Sequence, residues 1–494
     1  MGRLFDRHLS RTIVELAAPV VLAMLTQTAI NLVDTIMVGR LPATYSIAGQ
    51  SAIGYSLILL WAVGGLLSSI QVGTQAIVAR RFGEGNKLAA GQALTNSLAI
   101  AFGLGTVVSV SAYLAMPDVF PLFDRNPSVI ALGTEYAGYR MLGVLSMVAT
   151  VSYKSFFDGI SQTYVHMVAA IVMNVANLIL NWVLIYGVGP IEPMYVAGAG
   201  LGSLISTYIG LAVMMLWSFA PKVRHTYRPY FFSNIKGRVL ASIVSVSVPS
   251  GLATVFVMSG FGLFLKIVGL LDERNATDMV AHIPIYDPST IHLLAQVRDT
   301  ALWSDPFLNA VTNRPPIFTS TTKIIMDIMS LSFMSMIALG TATASLVGQS
   351  LGAEKPELAA RYGWTSAQLG GVSMVVFGTL AFVFPDWFIA IFNSDLAVID
   401  AGRSSLRLMS VSAVFIAIGL ILAQALFGAG YSRYVMWVEV TLHLVCLAPL
   451  AYLLGLVWDF GLVGIWSAAF AYIFLLALAM VWKFWEGGWK KVML

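Results

Sequence analysis

A carboxylate placed within an apolar run is the residue of this sequence best suited to do chemistry. Asp34 stands in the hydrophobic stretch that covers roughly residues 13–37. A charged group in such a stretch is costly in a bilayer, and acids found there are functional sites by default. A bound proton or Na⁺ relieves the cost, and a cationic guest can do the same; alternation between them is a physical basis for exchange. Asn177 and Asn181 lie one helical turn apart and share a face. Asp327 follows Lys323 by one turn, which reads as a neutralised ion pair near the outer mouth of its span, with a substitute coupling site as the alternative. Glu439 and His443 have the same spacing and read as a structural hydrogen bond, with a titrating pair as the alternative. Asp158, one turn after Lys154, reads as a cap or loop contact with that lysine.

The elements that position these residues follow from composition. Only 11% of the 494 residues are charged, 58% are hydrophobic, and the mean hydropathy is +0.82. A soluble domain carries about a quarter charged residues, so lipid is the main solvent of this chain. Apolar runs of about 20 residues, enough to cross a bilayer as helices, fall near 13–37, 51–72, 93–116, 130–152, 165–188, 195–219, 240–270, 319–347, 358–384, 400–426, 434–457 and 462–483. The fold class is therefore an all-α integral membrane protein of about twelve transmembrane helices. With both termini in the cytoplasm, most Lys and Arg residues fall in inside segments, as the positive-inside rule requires. That placement explains the net charge of +4 without nucleic acid.

The sequence repeats. Gly83 and Gly352 close spans two and eight, and Gly159 and Gly428 close spans four and ten; both pairs are 269 positions apart (352 − 83 and 428 − 159). Ala18-Pro-Val20 and Val248-Pro-Ser250 open the two halves. The chain reads as two six-helix parallel-repeat lobes, 1–230 and 231–494, with an outer-loop insertion at 271–318 between spans seven and eight. Within the insertion, Ser289 to Trp303 has helical apolar spacing. An even number of spans per repeat makes the lobes parallel, and such pairs bind substrate between repeats and alternate access by rocking.

Several chemistries are excluded. One cysteine, Cys446, permits no disulfide or thiolate metal site within the chain, and the six histidines are scattered. No phosphate-binding loop, Ser/His/Asp arrangement or His/Glu metal motif appears. The protein is read as a transporter and not an enzyme, with no cofactor beyond a coupling ion.

Leu16-Ala-Ala-Pro-Val20 followed by Val33-Asp-Thr-Ile-Met-Val-Gly39 resembles the first helix of the multidrug and toxic compound extrusion (MATE) family. Phe82-Gly-Glu-Gly85, Val347-Gly-Gln-Ser-Leu-Gly-Ala353, Asn177-Leu-Ile-Leu-Asn181 and Gly198-Ala-Gly-Leu-Gly-Ser203 extend the resemblance over nearly the whole chain apart from the insertion. It implies a cation-coupled antiporter of the inner (plasma) membrane that exports amphipathic, often cationic, drugs and dyes. It also implies an ion-coupling cluster of Asp34, Asn177, Asn181 and Ser203, with Na⁺ at Asp34 if sodium is the ion. Relatives often have Asp where this chain has Asn181, which leaves Asp34 as the cluster's lone acid and favours the proton. Acids that some relatives carry in spans seven and ten map to Val257 and Ile416, so coupling is expected in the N-terminal half. Gln27, Asn31, Met173, Met258 and Asp327 are expected to border the substrate cavity. The protein is expected to act as a monomer on small molecules. The alternative is a lipid-linked oligosaccharide flippase of the same superfamily.

Overall fold

The structure, a computed structural model, describes residues 6–123, 127–281, 317–393 and 395–492, with the backbone alone described at 27–35, 43, 44, 47, 61, 275–281 and 331. Among the described residues, eleven helices are long and apolar enough to cross a membrane. The first is α1 (Arg7–Gly39), opened by Asp6, whose carboxylate accepts the backbone N–H of His8 at 3.1 Å and Leu9 at 3.4 Å. α2 (Ala43–Ser68) and α3 (Ile70–Gly83) break at Ser69 and cross as one element. α4 (Lys87–Val119) starts at Asn86, whose side chain accepts from the Ala89 N–H at 3.0 Å.

The remaining crossing is made by α5 (Pro127–Leu142) and α6 (Val144–Gly159), 16 residues each. Helical bonds from Gly143 N–H to Tyr139 and from Met147 N–H to Gly143 carry the path through the junction at 3.2 and 3.0 Å. About twelve crossings result, as the sequence pattern predicts. α7 (Thr163–Tyr186) ends at Gly187, whose φ of 74° suits glycine. α8 (Tyr195–Ser218) and the short α9 (Pro221–Tyr227) lead to the second half.

That half comprises α10 (Gly237–Ala281), α11 (Ile317–Gly352), α12 (Pro356–Val383), the short α13 (Pro385–Ala390) and α14 (Leu396–Gly428). Span eleven is irregular. α15 (Ser432–Thr441) passes into a π-helical turn (Leu442–Leu447), then α16 (Ala448–Tyr452) and a second π-helical turn (Leu453–Val457). α17 (Gly461–Glu486) is the last crossing among the described residues.

The helix bounds change the reading of the insertion. α10 extends to Ala281 and α11 begins at Ile317, so both ends of 271–318 belong to helices. The apolar face read at 289–303 lies outside the described residues. Asp272, on α10, accepts the N–H of Phe318 at 2.8 Å, the N–H of Thr319 at 2.8 Å and the Thr319 hydroxyl at 2.7 Å. It thus caps α11 from a neighbouring helix, satisfying donors that a helix start leaves unpaired. Asp272→Ala is expected to cost about 1–2 kcal/mol, the value of a lost cap. Thermal unfolding of the purified protein, followed in detergent, checks this.

Two large buried apolar clusters occupy the two halves, one drawn from residues between Ala52 and Ile243, the other chiefly from residues between Phe264 and Trp489. Elsewhere the helices turn large apolar side chains outward, for example Val107 at 63% and Val376 at 58% exposure. Lipid, not water, fits such a surface. Exposed Trp387, Trp458, Trp482 and Trp485 stand at or near helix ends, where amphipathic rings favour the bilayer interface.

The internal repeat has a geometric counterpart. A Cβ on Gly83 would stand 2.0 Å from the carbonyl oxygen of Gln349, and one on Gly352 would stand 2.0 Å from that of Arg80. The relation is reciprocal, because 349 − 80 is again 269. Backbone meets backbone where α3 and α11 end, and only glycine permits the approach. Gln75 Nε2 donates to the Thr341 carbonyl at 2.9 Å and the Ser345 hydroxyl at 2.8 Å; Gln349 Nε2 donates to the Gly159 carbonyl and the Ser161 hydroxyl, both at 2.8 Å. Both chain ends lie on this face: Asp6 pairs with Arg361 at 2.5 Å, and Arg80 donates to the Val492 carbonyl at 2.7 Å. The Leu9 N–H, with Arg361 nearby, holds the Asp6 carboxyl below its usual range.

Candidate substrate and ion site

α7 and α8 pack closely because α8 is lined with small residues. A Cβ on Gly198 would meet the Leu184 carbonyl at 2.5 Å, and one on Gly202 would meet Asn181 Oδ1 at 2.3 Å. Small residues bring helix backbones together in membranes and let polar side chains bond across the gap. Asn177 Nδ2 donates to the Ser203 hydroxyl at 3.2 Å and reaches the Ser206 hydroxyl at 3.3 Å, and Asn181 Nδ2 donates to Asn177 Oδ1 at 3.2 Å. All four are buried. The three polar residues expected on α7 and α8 are therefore brought together, and Ser206 joins them.

α1 packs along α7, and the Tyr186 hydroxyl donates to the Met37 carbonyl at 2.8 Å. Gln27, Asn31 and Asp34 lie on α1, but their side chains fall outside the described residues.

A cavity of about 380 Å³ opens beside the cluster, bounded by α1, α2, α3, α5, α6, α7 and α8. That volume suits a small organic molecule. Met24, Met147, Met173 and Met214 give it soft, adaptable walls. Its polar lining includes Asn177, Ser203, Arg140, Lys154, His166 and Asn174. Both amide atoms of Asn174 are buried without a hydrogen-bond partner among the described residues, so they are available to a guest.

Of the residues expected to border a substrate cavity, Met173 lines this one, Met258 is 52% exposed and Asp327 stands outside this lining. Lys323 and Asp327 form an ion pair of 2.8 Å on the surface of α11, the simpler of the two readings of that spacing. Lys154 and Asp158 also pair, at 3.3 Å, but with side chains only 7% and 0% exposed. The contact of Asp158 with Lys154 expected from sequence is present, but it is buried and not at a loop: α6 turns both residues inward, and Lys154 reaches the cavity wall. Arg140, His166 and Asn174 were not assigned to a site from sequence. A signal existed for Arg140, a cation inside an apolar span. For His166 and Asn174, helical periodicity alone does not say which face meets a cavity.

This arrangement defines a class: a polytopic helical membrane protein with two repeats that meet at one face, and a solute-sized amphipathic cavity within the bundle of one of them. Residues 19–183 and 310–453 match the MatE family, and the chain belongs to it. It is 21% identical over 492 residues to a probable multidrug resistance protein NorM of Thermotoga maritima, covering 98% of this chain and 94% of that one. It is 25% identical over 388 residues to the protein of the same name from Oceanobacillus iheyensis, covering 76% and 75%. Among solved structures, the outward-facing conformation of a multidrug resistance MATE family transporter superposes with a TM-score of 0.81 at 19% identity, over 98% and 97% of the chains.

Proposed function

We propose that this protein is a cation-coupled antiporter that exports amphipathic organic compounds by alternating access, with the proton as the favoured ion and Na⁺ as the alternative. The observation that carries the reading is the cavity beside Asn177 and Ser203. Its methionine walls accept varied apolar shapes, and its few polar tips orient the guest's polar end. Relatives named for multidrug resistance support the same reading. Asp34 is the proposed coupling acid, assisted by Asn177, Asn181 and Ser203, with Gln27 and Asn31 on the same helix as further polar contacts. The proposed lobes are 1–230 and 231–494. The shared face of the termini is proposed to be the cytoplasmic side of the inner membrane, because the basic residues concentrate in segments on that side.

Arg140 and Lys154 are the charged groups of the described lining, with Lys154 offset by Asp158. The export assay therefore uses an anionic naphthalene dye beside cationic ethidium. Proteoliposomes under an imposed proton gradient, or under an imposed sodium gradient, are expected to move at least one dye against its concentration. Failure of both dyes under both gradients overturns the reading. The flippase reading is favoured by none of these observations.

A further inference from the structure

We infer that Glu439, with His443 and Tyr472, forms a proton-binding site in the C-terminal half of the protein. Glu439 lies on α15, about 10 Å along the helix from Ser432 at 1.5 Å per residue, and is only 8% exposed. The Tyr472 hydroxyl, from α17, donates to its Oε2 at 2.9 Å. His443 Nδ1 is 2.9 Å from the Glu439 backbone carbonyl and 3.4 Å from Oε2. A carbonyl only accepts, so Nδ1 carries the hydrogen and Nε2 presents a lone pair. That Nε2 is buried with no partner among the described residues.

The seat of the imidazole is built. A Cβ on Gly260 of α10 would come within 2.6 Å of His443 Cδ2, and the ring lies 5.9 Å from the ring of Phe261 and 4.4 Å from that of Tyr472. Among the described residues, the titratable groups that act on the cluster are its own three members and Cys446; α10 contributes Gly260 and Phe261, which carry no charge.

Charge balance sets this acid apart. Asp158 and Asp327 each have a lysine within ion-pair distance, whereas the polar partners of Glu439 are a phenol and an imidazole. Without a bound proton the cluster carries a net charge of −1 within the bilayer, which is costly. One proton makes it neutral, whether it forms an O–H bond on the carboxyl group or an N–H bond at Nε2. The proton is taken from water on one face and returned to water on the other, and no other bond changes. Proton, not Na⁺, fits the donor set, since a sodium ion wants several oxygens and here finds a carboxylate and one hydroxyl.

The π-helical turn that begins at Leu442 gives the site a mechanical outlet. Such turns are frequent at functional sites. Occupancy of the cluster biases how span eleven packs on α10 and α17, and so adds a proton step to the export cycle.

The proposal deepens the antiport reading, but its first test does not depend on it. Infrared pH-difference spectra of the full-length protein in lipid nanodiscs are expected to show a protonated-carboxyl band that Glu439→Gln removes. Tyr472→Phe retains that band and displaces its midpoint, and it serves as the readout if Glu439→Gln does not fold. In proteoliposomes, Glu439→Gln is expected to lower proton-gradient-driven ethidium or naphthalene-dye export about tenfold or more, within the range of couplings between linked sites, with dye affinity retained. A spectrum unchanged by both substitutions overturns the site, and a lost band with unchanged driven export overturns its role in coupling. Absence of driven export by wild type overturns the antiport reading, while the spectra still decide the proton site.

Discussion

Asp34→Asn is expected to abolish gradient-driven dye export while leaving the protein folded and able to bind dye. Asparagine keeps the shape and the polarity of the side chain and removes only the charge that a proton or Na⁺ must neutralise. A carboxylate within an apolar span is costly when charged and unpaired. Coupling uses that cost: ion and guest relieve it in turn, and the emptied state is penalised. With no charge to relieve, the driven component falls to the leak of protein-free vesicles. Fluorescence titration of dye binding, run beside the flux assay, separates lost coupling from lost folding. Driven export that persists in Asp34→Asn would move the coupling site elsewhere, with Glu439 as the next acid to replace.

Gly352→Ala and Gly83→Ala are expected to disable the face on which the two halves meet. Each added Cβ would stand 2.0 Å from a carbonyl oxygen, Arg80 in one case and Gln349 in the other. Neither partner is a flexible side-chain tip, so the backbones must separate by more than an ångström. Overpacking of this kind costs about 1–3 kcal/mol, enough to shift a two-state equilibrium about 5- to 150-fold. The closed arrangement of this face loses population, and export slows by a comparable factor. Because the clash belongs to one state, the variants are expected to remain monodisperse and to bind dye. Labelling rates of a cysteine introduced at Ser350, in a Cys446→Ser background, report the opening directly. Faster labelling in the glycine variants is the expected result, and equal rates would show that the contact does not gate this face.

Much of this could be read from the chain because the bilayer leaves few options. Apolar runs of spanning length must be helices, and their count and the repeat follow. Gly83 and Gly352 were legible as a repeat before their crossing was visible, since a backbone contact constrains residue type at both positions. Asn177 and Asn181 were legible by spacing; Ser203, which lies on another helix, required the family pattern. The surroundings that were not legible share a cause. Helical periodicity groups Lys154 with Asp158, but it does not tell a buried face from one at a loop. Met258 and Met173 look alike in sequence, yet one is half exposed and the other lines the cavity. The Glu439–Tyr472 bond joins residues 33 positions apart on different helices, so local spacing revealed only Glu439 and His443. The breaks at Ser69 and Gly143 were hidden inside runs that remain apolar on both sides.

Exchange is tested most directly by running it in reverse. Proteoliposomes holding a lumenal pH dye and a lumenal sodium dye, with no ion gradient imposed, are given a gradient of whichever of the two export dyes the protein moves. The account predicts that dye flowing in one direction drives protons in the other, that sodium stays still, and that Asp34→Asn removes the proton signal. Dye that crosses through wild-type protein while neither protons nor sodium move would show a passive pathway and contradict antiport.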